Sequence, residues 1–313
     1  MILTRKDILG LKDIKKTEIE AILNTAELMK YILKQGNKKT PHLQGKSVII
    51  LFYENSTRTK LSFELAGKYM GASVANISVS TSSVAKGESL IDTGRTIDVM
   101  GADVVVIRHP ISGAPHLLAR HVKASVINAG DGMNEHPTQS LLDLFTIKEK
   151  KGGFEGLKVA IIGDIYHSRV ARSNIWSMVK LGCEVSVCGP NTLLPPDLEK
   201  TGVNVYNNVE DAIRGADVVM GLRIQKERQR SGLLPSIDEY ARYFGINEKN
   251  IKLAKKDVLI MHPGPVNRGV EMTSIIVDED RSAITEQVTN GVAVRMALLY
   301  MLTRRSVPDE SIV

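Results

Sequence analysis

Cysteine is nearly absent. Only Cys183 and Cys188 occur in 313 residues, and their spacing within "CEVSVCGP" matches no common zinc signature and no disulfide framework. They read as core or strand-end thiols. Aromatic residues are scarce at 4%, so no stacking platform for nucleic-acid bases is legible, although the formal charge of +6 has the right sign for such a partner. The 41 Lys and Arg are interleaved with 35 Asp and Glu rather than gathered in a stripe, so no nucleic-acid partner is expected. Long apolar runs are missing too. No uncharged stretch approaches membrane-spanning length, and the opening "MILTRKDILGLKDIKK" sets Arg5, Lys6 and Asp7 among its apolar residues, unlike a signal peptide. The expectation is a cytoplasmic protein that meets no membrane. Two ligand fingerprints are also lacking. "VAIIGDIYHSRVARSN" has no G-x-G-x-x-G spacing, which discounts NAD, and "SSVAKGESL" lacks the upstream glycines of a Walker loop. Lys86 on that second loop is left with two readings, solvated or facing a ligand.

What is present is an ordinary globular composition, 43% hydrophobic and 24% charged, in a chain long enough for two domains. Short β-branched runs recur: "SVIILFY" (47–53), "SVANI" (73–77), "DVVVIRH" (103–109), "SVINAG" (125–130), "KVAIIGD" (158–164), "EVSVCGP" (184–190), "VNVYN" (203–207), "DVVMGL" (217–222) and "DVLIMHP" (257–263). Helical patterns separate most of them. This alternation predicts an α/β protein with parallel sheets built from βαβ units. The charged, glycine-rich "EKKGGFEG" (149–156) marks a boundary between two such sheets. Thr17 and Glu20 form a capping-box pattern at the start of the first helix, with Gly36 as its stop. The last helix, "EQVTNGVAVRMALLYMLTRR", is apolar enough to pack on a neighbour.

Ligands of open parallel sheets sit outside the carboxyl ends of the strands, so the residues after each run are the informative ones. Ser56, Thr57, Arg58 and Thr59 stand between a buried strand and a helix that begins near Ser56 or Thr57. There, hydroxyls, a guanidinium and free helix N–H groups would hold a phosphate. An ordinary capped helix with a solvated Arg58 fits the same residues. The later loops add Arg108-His109-Pro110, "GDGMNEHPTQ" with His136 and Gln139, "GDIYHSRVARSN" with Arg169, "GLRIQKERQR" with Arg223 and Gln225, and "HPGPVNRG". Pro137 suits the first turn of a helix, which leaves His136 at its positive edge, either as a neutral donor to a carbonyl oxygen or as a plain cap. Lys226, Glu227, Arg228 and Arg230 read as a solvated charged segment. The inventory suits phosphate, carbonyl and carboxylate groups, and it holds no evident nucleophile–base pair or metal cluster.

"FYENSTRTKLSFE", "SSVAKGESLIDT", "RHP", "NAGDGMNEHPTQSLLDLFTI", "GDIYHSRVARS", "RIQKER" and "HPGPVNRG", in that order, resemble the catalytic chains of the aspartate carbamoyltransferases, over nearly all 313 residues. The S-T-R-T and H-P-x-Q elements are shared with the wider carbamoyltransferase family. Ornithine-specific members carry H-C-L-P, whereas this chain has His262-Pro263-Gly264-Pro265 and the R-x-Q-x-E-R element at Arg223 to Arg228. Gly264 departs from the leucine usual at its position.

The resemblance implies two α/β domains with the active site between them, 1–150 for carbamoyl phosphate and 151–285 for aspartate, the helix at about 286–313 packing back on the first. It implies carbamoyl transfer to L-aspartate in pyrimidine synthesis, with no cofactor and no metal. By the same resemblance, Ser56, Thr57, Arg58 and Thr59 hold the phosphate, Thr59, Arg108 and His136 polarise the carbonyl, and Gln139 with Gly264 and Pro265 orients the carbamoyl amide. Arg169, Arg223 and Gln225 clamp the aspartate carboxylates, and Lys86 reaches in from the adjacent chain of a homotrimer with shared sites. A regulatory chain or a dihydroorotase partner is left open. The alternatives are transfer to another amine such as ornithine, or a non-catalytic subunit of this family.

Overall fold

The computed structural model describes residues 3–78, 87–224 and 236–304. It divides into two units, Met1–Leu141 with Asn290–Val313, and Leu142–Thr289. The cuts fall inside two helices, α5 (Pro137–Lys151) and α10 (Ile284–Thr303). Among the described residues no helix is long and apolar enough to cross a membrane.

The first unit is built on a parallel sheet of β1 (Ser47–Phe52), β2 (Ser73–Ser78), β3 (Val104–His109) and β4 (Ser125–Asp131), in the order β2-β1-β3-β4. The helices of this unit are α1 (Lys16–Leu33), α2 (Thr57–Tyr69), α3 (Leu90–Val99), α4 (Ala114–Ala119) and the first turn of α5. Val104, Val105, Val106 and Ile107 are all fully buried. A strand read as a continuous apolar run is thus covered on both faces, and each such side chain contributes roughly 1.5–3 kcal/mol of burial. Leu51, Val105, Ile107, Leu118 and Val126 form one cluster of this core. From the C-terminal part of α10, Arg295 lies over the Phe63 ring and Tyr300 meets His42 edge-on.

The second unit carries β5 (Lys158–Ile162), β6 (Glu184–Cys188), β7 (Asn204–Tyr206), β8 (Val218–Gly221) and β9 (Leu259–Met261), also parallel, in the order β7-β6-β5-β8-β9. Its helices include α6 (Arg169–Lys180), α7 (Val209–Ile213), α8 (Ile237–Phe244) and α9 (Ser274–Asp278). Ala160, Ile162, Val219, Ile260 and Met272 lie in its core. Both cysteines are free and buried, and burial pushes each thiol up to about 12. That agrees with their reading as core thiols.

One local expectation fails. Helix α1 starts at Lys16, and it is Glu18, not Glu20, that reaches back to accept the Lys15 N–H at 3.0 Å. The reason is Arg5, whose Nε and Nη2 both donate to Glu18 at 2.8 Å and fix that carboxylate at the helix start.

Candidate active site

Each sheet has one place where the strand order reverses. In the first it lies between β1 and β3, because the chain runs from β1 outward to β2 and then returns to the other side. Such a switch point leaves a crevice beyond the carboxyl ends of the two strands. Phe52, the last residue of β1, is in register with Arg108 of β3. Helix α2 begins at Thr57 with Ser56 as its N-cap, and the Ser56 side chain makes no cap hydrogen bond. The start of α2 thus places Ser56, Thr57, Arg58 and Thr59 immediately past the β1 end. Arg58 is exposed. Thr59 is buried, and its carbonyl accepts from the Ser62 hydroxyl at 3.0 Å. Strand β4 lies next to β3, and beyond it α5 opens on Pro137, so His136 and Gln139 flank the first helical residue and are both buried. The Gln139 N–H closes the first turn onto the His136 carbonyl at 3.0 Å, and the Thr138 hydroxyl stands 3.5 Å from His136 Nδ1. All seven residues expected to face carbamoyl phosphate from this half therefore stand at the ends of three adjacent strands, β1, β3 and β4.

Arg108 is already engaged, since its Nε donates to Glu54 Oε2 at 3.2 Å. The sequence alone does not mark Glu54. Its only signal there is an acidic side chain in the strand-end loop, directly before the cluster. The neighbouring His109 accepts the Ile111 N–H on Nδ1 at 3.0 Å, which places the ring proton on Nε2. Burial lowers the pKa of His109, an effect partly offset by the Glu54 and Asp131 carboxylates.

The second sheet repeats the plan. Its order reverses between β5 and β8. Past β5, Gly163 at φ +141° brings the chain against the next strand end, where a Cβ would stand 2.9 Å from Leu222 Cβ. Asp164, fully buried, accepts from the His167 N–H at 3.1 Å and faces His167 Nδ1 at 2.9 Å, and the Ser168 hydroxyl caps α6 at the Ala171 N–H. This pinned turn delivers Arg169, buried, as the first helical residue. Arg223 follows β8, and Gly264 and Pro265 follow β9 with Gly264 at φ +64° and a cis peptide between them. His262 Nδ1 accepts the Gly264 N–H at 2.8 Å, the same arrangement as at His109. Behind that loop, the His262 N–H donates to Gln287, whose amide donates to the buried Asp143, which also accepts from Asn174. Asp164 and Asp143 carry no motif in the sequence, because a buried acid held by a backbone N–H, a ring nitrogen or amides has no distinctive spacing. Lys86 and Gln225 lie outside the described residues.

Family models match both halves: the carbamoyl phosphate-binding domain of aspartate/ornithine carbamoyltransferase over residues 6–149, and its aspartate/ornithine-binding domain over residues 155–302. The chain belongs to the aspartate/ornithine carbamoyltransferase family. Within it, the chain is 74% identical to the aspartate carbamoyltransferase catalytic subunit of Acetivibrio thermocellus, over 97% of this chain and 98% of that one. It is 69% identical to the same subunit of Ruminiclostridium cellulolyticum, over 99% of each. Among solved carbamoyltransferases, the aspartate transcarbamoylase of Trypanosoma cruzi in complex with N-(phosphonacetyl)-L-aspartic acid aligns with a TM-score of 0.86 at 32% identity, covering 95% of both chains. The ornithine carbamoyltransferase of Pyrococcus furiosus aligns with a TM-score of 0.85 at 29% identity, covering 96% of this chain and 97% of that one. The two acceptor classes share one architecture.

Proposed function

We propose that the chain transfers the carbamoyl group of carbamoyl phosphate to the amine of L-aspartate, giving N-carbamoyl-L-aspartate and phosphate for pyrimidine synthesis. The observation that carries this reading is the gathering of arginines, hydroxyls and amides at the carboxyl ends of β1, β3 and β4 in one unit and of β5, β8 and β9 in the other. The aspartate amine attacks the carbamoyl carbon, a C–N bond forms, and the C=O electron pair moves onto oxygen. That oxyanion collapses, the C–O bond to phosphate breaks, and phosphate leaves with the bonding pair and takes up the proton that the attacking nitrogen sheds. The reaction calls for placement and charge stabilisation more than for a strong base. Ser56, Thr57, Arg58 and Thr59 receive the phosphate, with the α2 N-terminus behind them. Thr59, Arg108 and His136 meet the developing oxyanion, for which Arg108 exchanges Glu54. Gln139 and the backbone at Gly264 and Pro265 orient the carbamoyl amide. Arg169, Arg223 and Gln225 take the aspartate carboxylates. Lys86 of an adjacent chain completes each site of a cytoplasmic homotrimer.

The acceptor reading is supported by the absence of cysteine from His262-Pro263-Gly264-Pro265 and by the R-x-Q-x-E-R element. The purified chain is expected to form N-carbamoyl-L-aspartate from carbamoyl phosphate and L-aspartate, and no citrulline from ornithine. Arg223→Ala should raise the KM for aspartate at least about tenfold while moving that for carbamoyl phosphate far less, since a charge-assisted contact to one substrate is removed. Citrulline as the main product, or equal shifts in both KM values, would overturn the acceptor assignment.

A further inference from the structure

Glu271 is 1% exposed. Its Oε1 accepts the Ile224 N–H at 2.9 Å and the Asn267 side-chain amide at 2.7 Å, and its Oε2 accepts the Asn267 backbone N–H at 2.8 Å. A carboxylate so deep in the protein is tolerated because these donors replace the water it has lost. Its own backbone is fixed from another side: the Ile246 N–H donates to the Glu271 carbonyl at 2.9 Å, and the adjoining Ile246 and Met272, fully buried, form a bridge.

The partners of this carboxylate belong to two separate loops. Ile224 directly follows Arg223 on the segment leaving β8, and Asn267 stands two residues past Pro265 on the segment leaving β9. The β8–β9 ladder itself ends at the Met220–Met261 pair. Beyond that pair, Glu271 takes up the connection between the two segments. We infer that Glu271 is a positioning residue, one carboxylate that sets the Arg223 loop against the Gly264–Pro265 loop and so fixes the acceptor clamp relative to the group that orients the carbamoyl amide. The inference rests on the aspartate carbamoyltransferase reading and adds to it a residue that touches neither substrate.

The test is a double-mutant cycle on kcat/KM for aspartate with Glu271→Gln and Arg223→Ala, alone and together, in the full-length chain. Glutamine keeps the volume and one acceptor oxygen but turns an NH2 toward an N–H donor, so one tie is lost. Glu271→Gln alone should lower kcat/KM about tenfold, mainly through KM, with the melting temperature within a few degrees of the parent. In the Arg223→Ala background the same change should cost less than about twofold, because the guanidinium it positions is gone. Equal factors in both backgrounds would show a general packing role and overturn the inference. Should Glu271→Gln fail to fold, Asn267→Ala, which removes one donor from the half-buried side of the tie, enters the same cycle with the same two outcomes. A parent chain inactive with aspartate overturns the functional reading and this one with it; additive losses in an active parent overturn only this one.

Discussion

His109 and His262 both follow a strand, both precede proline, and both spend Nδ1 as an acceptor for the N–H two residues on. An imidazolium has no lone pair for that bond, and burial is the chief cause that lowers the pKa of His109. The folded chain then holds fewer protons than the unfolded chain once the pH falls below about 6.5, the ordinary imidazole value. Stability contributed by neutral His109 is complete above that pH and is lost as the pH drops toward the lower folded pKa. The urea midpoint of the parent should therefore fall between pH 7.5 and 5.5, and that of His109→Gln should fall less over the same interval. Identical slopes would remove His109 from the acid sensitivity. The pairing of a strand-end histidine with a following proline was visible in "RHP" and "MHP", but the tautomer was not. Which nitrogen accepts depends on where the chain turns after the proline.

Helix α1 shows what a local pattern leaves out. Thr17 and Glu20 satisfy a capping box by spacing, yet Glu18 takes the role because Arg5 holds it, and Arg5 lies 13 residues away in sequence. The hydrogen bond from Arg5 is the chief cause that lowers the Glu18 pKa. A depressed carboxyl pKa contributes stability that is present above the unfolded value of about 4.3 and disappears as the pH falls through the folded value. Glu18→Gln should accordingly destabilise by about 1 kcal/mol at pH 7 and by much less at pH 3, measured by chemical denaturation. A loss that is the same at both pH values would mean that shape, not charge, sets the helix start. The strands were far easier to read. Each of the nine β-branched runs overlaps a strand, from β1 at Ser47–Phe52 to β9 at Leu259–Met261; a strand buried on both faces, such as β3, leaves a continuous apolar run, whereas the edge strand β7 is only half-buried to exposed. The loops at the strand ends are legible in the sequence because the runs that precede them are. Glu54 and Glu271 are hidden, since Arg108 and Ile224, their partners, come from other loops that only the sheet order brings together, and Asp164 is hidden because a contact to His167 within one turn has no distinctive spacing.

On the scale of the whole molecule, the decisive expectation concerns assembly. Lys86 lies outside the described residues, and its assignment to a neighbouring site makes a sharp forecast about mixed oligomers. Arg58→Ala and Lys86→Ala should each be nearly inactive. When the two denatured variants are mixed and refolded, each hybrid trimer should contain about one site that unites an intact Arg58 with an intact Lys86 from the next chain. Activity should then return on mixing. Hybrids proven by pull-down of a tagged chain, yet as inactive as their parents, would refute the shared site. The two buried thiols bear on how such experiments are done. With pKa values pushed up to about 12, only about one in 10⁵ of them is thiolate at pH 7, which leaves them inert to maleimides and disulfide reagents while the chain is folded. The natural sequence is therefore already a background for site-specific chemistry. A single cysteine placed at Val99, 89% exposed at the end of α3, would accept a fluorophore alone, and subunit exchange could be followed in real time without first removing a native residue.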